Sequence, residues 1–135
     1  NSGNVCDRYG TAWASRLSAY ERAKKIRTDA FARTQERWST LFSGLESSGI
    51  SVSTLRTDAN DVATKFASLI ASDDAQIAAL GAYGQASCDK NGVDDARRTL
   101  RTAQEGRRTA RQAFVGSLRQ FVTDLMNIRT QLKGE

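Results

Sequence analysis

The chain has 135 residues, a formal net charge of +5, no histidine and no proline. At 39% hydrophobic residues it has enough apolar surface for helices that each bury one stripe, and too little for a thick layered fold. The lack of histidine excludes Ser–His and Cys–His nucleophiles, a histidine base and histidine metal ligands.

The first predicted helix spans about residues 4–48. Its apolar stripe is Trp13, Leu17, Tyr20, Phe31, Trp38, Leu41 and Leu45, at steps of three and four, with Lys24, Arg27 and Thr34 on the same line. Phe42 and Ile26 lie off it. The stripe ends at Leu45-Glu46-Ser47-Ser48-Gly49-Ile50. Gly49 suits the left-handed position after a helix, with Leu45 and Ile50 as the apolar pair of a Schellman cap. Ser51 or Ser53 then caps the next helix. With Ser51 at the cap, Ile50 and Leu55 form a staple.

The second helix is predicted over about residues 52–84, along Val52, Leu55, Ala59, Val62, Phe66, Leu69/Ile70, Asp73, Ile77, Leu80 and Tyr83, with Gly81 and Gly84 marking a fraying end. Asp89-Lys90-Asn91-Gly92-Val93-Asp94-Asp95 is a second reversal. Asn91 is its capping residue, and two acids suit the first turn that follows. Its glycine falls at position four and its twelfth residue is Leu100, so it does not match a calcium loop.

The third helix, about residues 93–132, carries Val93, Ala96, Leu100, Ala103, Arg107, Ala110, Phe114, Leu118, Phe121, Leu125, Ile128 and Leu132. This three-four spacing over more than five heptads indicates coiled-coil-like packing.

Gly49-Ile50-Ser51-Val52-Ser53-Thr54-Leu55 between two long helices, with the Ala- and Arg-rich third helix after it, resembles uncharacterised secreted three-helix-bundle proteins of small-genome bacteria. The likeness covers about residues 30–132. It implies a three-helix fold and an extracytoplasmic place, and it carries no activity or functional residues.

Short connections make successive helices antiparallel. Residue numbers of partners across the first reversal then total about 97, and across the second about 180. Cys6 and Cys88 meet this rule within one helical turn. Phe31, Phe66 and Phe114 fall in one layer, Trp38, Ala59 and Phe121 in another, and Leu17, Leu80 and Leu100 in a third. The expected fold is all-α: one domain (residues 1–135), an elongated antiparallel three-helix bundle clasped by one disulfide. A polar core layer of Lys24, Asp73 and Arg107 is expected at its middle, as a device that fixes register.

A chain that begins at Asn1 with its only methionine at 126 is read as a processed product or a fragment, and the two cysteines as the Cys6–Cys88 disulfide of a secreted or cell-surface protein, or else as two unpaired small core residues. No run approaches a membrane span. Charge is uneven. Residues 1–46 hold eight Lys/Arg against five Asp/Glu, residues 47–92 three against five, and residues 93–135 nine against five.

Arg97, Arg98, Arg101, Arg107, Arg108 and Arg111 form the densest basic run. They are a candidate site for anionic polymers, or a solvated face paired as Asp94–Arg98 and Glu105–Arg108. Phe42, Val115, Val122 and Met126 are candidate protein contacts between the first and third helices, or flanks of the core.

No phosphate-binding loop, dinucleotide fingerprint or metal-ligand set appears, so no catalytic residue, cofactor, metal or small-molecule substrate is expected. The expected function is a non-enzymatic extracellular structural or interaction domain. It acts through protein–protein contacts, including self-assembly with its own copies. The alternative is binding of an envelope polymer or nucleic acid through the third helix.

Overall fold

The computed structural model describes residues 2–134, with side chains for residues 6 and 10–134. The termini Asn1 and Glu135, the first expected to be held by the disulfide and the last by a neighbour, lie outside the described residues. The secondary structure is all helical: α1 (Ser2–Ser47), α2 (Ser53–Asp89) and α3 (Val93–Gly134). The helices pack as an antiparallel three-helix bundle in two compact units, Asn1–Thr28 with Ile70–Thr109, and Asp29–Leu69 with Ala110–Glu135.

The first reversal is the expected Schellman cap. Gly49 sits at φ 81°. The Ile50 N–H donates to Leu45 O at 3.0 Å and the Gly49 N–H to Glu46 O at 2.9 Å, which satisfies two carbonyls the helix would otherwise leave bare. The start of α2 differs from expectation. The carbonyl accepting the first helical bond belongs to Val52, from Arg56 N–H at 2.8 Å, so Val52 takes the cap position expected of Ser51 or Ser53. Val52 is buried, and its packing outweighs the hydroxyl cap that Ser51 offered.

At the second reversal, Gly92 rather than Asn91 supplies the first carbonyl of α3, to Ala96 N–H at 3.0 Å. Lys90 and Gly92 both have left-handed backbone, φ 57° and 68°.

In the first unit α1 and α2 run antiparallel through a series of contacts. The Cys6–Cys88 disulfide has its Cα atoms 5.2 Å apart. The Trp13 ring meets Tyr83 edge-on at 6.3 Å. Helix α2 does not fray at Gly81 and Gly84 but continues to Asp89. Gly84 is buried, and a Cβ there would lie 2.7 Å from the Trp13 ring, so the glycine makes room for the indole. Its lost helix propensity is exchanged for close packing.

The second unit has an aromatic core. Phe31 stacks on Phe66 with centroids 4.1 Å apart, and Phe114 closes the layer at 6.1 and 5.6 Å, as the antiparallel register requires. Trp38 lies 4.4 Å from Phe121, with Ala59 packed on the same cluster. Leu55 and Val62 are fully buried.

One position of the predicted stripe is corrected, and one candidate contact. Leu41 is 37% exposed, while its neighbour Phe42, a candidate protein contact or core flank, is core: it is 4% exposed and 6.2 Å from Phe121. A helix of 3.6 residues per turn drifts against a three-four stripe, so over several turns the inward position passes from one residue to the next. Arg56 covers the Phe42 ring at 5.4 Å and also pairs with Glu46 across the reversal.

Candidate functional site

Two arrangements carry chemistry, one in each unit. In the first unit, Asp73 of α2 is buried with its side chain 5% exposed. It accepts from Arg27 Nη2 at Oδ2 and from Arg107 Nε at Oδ1, both at 2.6 Å. The expected polar layer was Lys24, Asp73 and Arg107. The structure keeps Asp73–Arg107 and puts Arg27 where Lys24 was assigned. Lys24 instead donates to Asp74 at 2.6 Å and lies 3.1 Å from Glu21. The Asp74 hydrogen bond, then Glu21, raises the Lys24 pKa above its ordinary value.

The physical reason lies in side-chain direction and reach. Helical side chains lean toward the N-terminus, so Arg27 reaches back one turn to Asp73.

Arg27, Asp73 and Arg107 line a cleft of about 270 Å³ with Tyr20, Ala23, Gln76 and Ile77. Tyr20, assigned to the core stripe, is 40% exposed at this cleft. The Arg27 Nε is buried and has no hydrogen-bond partner among the described residues.

The second arrangement is the outer face of α3 within the second unit. Val122 is 48% and Met126 57% exposed, and Val115 is half-buried. At 100° per residue they share an arc of about 80° with Arg111, Arg119, Arg129 and Lys133, all exposed. The same periodicity, applied to the basic residues, would have shown Arg119, Arg129 and Lys133 in the sequence. The result is an apolar centre inside a basic rim with no carboxylate in the arc. Phe42, proposed for the same strip, is core as described above.

The arginine run is divided in its chemistry. Arg107 turns inward to Asp73. Arg97 lies 3.7 Å from Asp94, and Arg98 pairs with Asp95. These pairs are three residues apart, whereas the expected Asp94–Arg98 pair is four apart. Arg101, Arg108 and Arg111 are exposed and have no ion-pair partner among the described residues.

Sequence reading missed a carboxyl pair. Asp58 of α2 faces Asp124 of α3 in the second unit. Burial first, then Asp124 and Asp61, push the Asp58 pKa up to about 6. The Asp58 hydrogen bond, then Gln120, holds Asp124 below its usual range. Gln120 Nε2 donates to both Asp124 oxygens, at 3.2 and 3.1 Å. The antiparallel register alone places these positions within a turn of each other, and that would have been the signal.

Among the described residues no helix is long and apolar enough to cross a membrane. Comparison with protein-family models, with curated proteins and with solved structures finds no match.

Proposed function

We propose that the chain is a non-enzymatic interaction domain that works outside the cytoplasm through protein–protein contact on the outer face of α3. The observation that carries this reading is the exposure of Val122 and Met126 on successive turns, ringed by Arg111, Arg119, Arg129 and Lys133. Apolar side chains at the centre and charge at the rim is the usual anatomy of a contact patch. The rim asks for an acidic partner. A second copy offers exposed acids on α2, with the Asp61 side chain 53% and the Asp74 side chain 55% exposed. The Cys6–Cys88 bond supports the extracytoplasmic setting, because cytosolic thiols are kept reduced.

Light scattering across a wide concentration range tests the reading. The mass should rise with concentration, and Val122→Lys should hold the protein monomeric. A second reading, binding of an anionic polymer, is favoured by the four basic residues that share the arc. A monomer at every concentration, with salt-dependent retention on heparin that Arg119→Gln and Arg129→Gln weaken, would replace the first reading with the second.

A further inference from the structure

We propose that the cleft around Arg27, Asp73 and Arg107 binds a small organic carboxylate. Two guanidiniums converge on one carboxylate there, so the cleft keeps a net positive charge after both ion pairs are made. Lys24 adds none: it is held by Asp74 and Glu21, a net negative group that lies outside the cleft lining. Each Asp73 oxygen already holds one arginine, which leaves the donors in surplus. Arg107 reaches Asp73 through Nε, leaving its two terminal nitrogens at the cleft for another acceptor, while the Arg27 Nε is closed to the cleft and takes no part.

The Arg107 side chain is 31% exposed at the cleft, so its spare nitrogens are open to a ligand. A planar monoanion accepting two N–H groups from a guanidinium fork meets this surplus in charge and in shape. The rest of the lining sets the ligand's other end. Ala23, Ile77 and the Tyr20 ring are apolar, and Gln76 adds an amide. The cleft of about 270 Å³ holds roughly nine water volumes, at ~30 Å³ each, which suits a carboxylate on a small ring or short chain.

Isothermal titration of the whole chain with sodium benzoate, at constant ionic strength, tests this. Saturable binding is expected, weakened about tenfold or more by Arg27→Gln through loss of a charge-assisted contact. Gln76→Glu leaves both arginine–Asp73 pairs in place and sets a like charge beside the ligand. It should abolish binding while the circular dichroism spectrum is unchanged, so the test stands even if Arg27→Gln unfolds the chain. No saturable heat with benzoate overturns the proposal. So does equal binding by the Gln76→Glu variant. Saturable binding of inorganic phosphate without benzoate overturns the carboxylate assignment.

Discussion

In the second unit the side chains of Phe42, Val52, Leu55, Val62 and Phe121 form one buried cluster, with Phe31, Trp38 and Phe114 packed around it. In the first unit the buried apolar side chains among the described residues are Ala79 and Leu80, and a carboxylate, Asp73, is buried as deeply. What the first unit lacks in apolar area it replaces with a covalent bond, a charged triad and a glycine seated under an indole. Burial of aromatic surface is nondirectional and scales with area, so the second unit tolerates small errors of register. A disulfide, a two-arginine clamp and a Gly84–Trp13 contact each require particular atoms in particular places. The two units therefore differ in what should break them.

The largest effect is expected from the disulfide. Replacing both Cys6 and Cys88 with serine should cost about 4–5 kcal/mol by the chain-entropy model for a loop of this length. Urea titration measures the loss. Amide exchange should rise first around Trp13–Leu17 and Leu80–Asp89, while Leu55–Phe66 stay protected. Uniform loss of protection would erase the contrast between the units.

Phe66→Ala attacks the other side of the comparison and should cost about 3–5 kcal/mol, the range for emptying a core aromatic site. A loss under about 1 kcal/mol would show that the Phe31–Phe66–Phe114 layer is not a core.

Gly84→Ala tests close packing in the first unit. Its Cβ would meet the Trp13 ring at 2.7 Å, and overpacking of this kind costs about 1–3 kcal/mol. Gly81→Ala is the internal control. Its nearest neighbour, Leu17 Cδ1, is at 3.7 Å, so helix propensity should make the change neutral or stabilising by up to about 1 kcal/mol. Equal losses at both positions would mean that the indole does not need the gap.

The smallest effect is the pH response of the second unit. Asp58 is raised to about 6, so the folded form holds a proton that the unfolded chain releases near 3.8. Stability from this group therefore rises as pH falls through about 6 and is complete below the unfolded value. Asp124 is lowered and works the other way, losing its contribution at more acidic pH. Melting temperature should climb between pH 7.5 and 5.5, and Asp58→Asn should flatten that slope and stabilise the protein at pH 7.5. An unchanged slope would remove Asp58 as its source.

Much of this was legible in the residues, for identifiable reasons. Leu45, Gly49 and Ile50 stand at the fixed spacing of a cap, and backbone geometry leaves few alternatives at such a position. The pairs Phe66–Phe114 and Asp73–Arg107 follow from connection length alone. What stayed hidden depends on side-chain reach or local volume. Arg27 displaced Lys24 at Asp73 because a longer, forked side chain reached back a turn. Phe42 displaced Leu41 because helical phase drifts against a counted stripe. Gly84 carried the ordinary mark of a helix end, and only the position of the Trp13 ring shows it as a packing residue. The carboxylate cleft was hidden in another way. Asp73 and Arg107 were visible as part of a polar layer, but the surplus of donors appears only when each hydrogen bond is assigned to an atom.

The bond between Cys6 and Cys88 turns the intervening chain into a covalent ring, with α3 attached outside it as a tail. The two reversals consequently differ in how the molecule would respond to a protease. A cut between exposed Ser48 and Gly49 opens the ring and frees nothing, so the two pieces stay joined until a reductant is added. A cut after exposed Lys90 lies beyond the ring and detaches α3 from the covalent structure at once, taking the Val122–Met126 face with it.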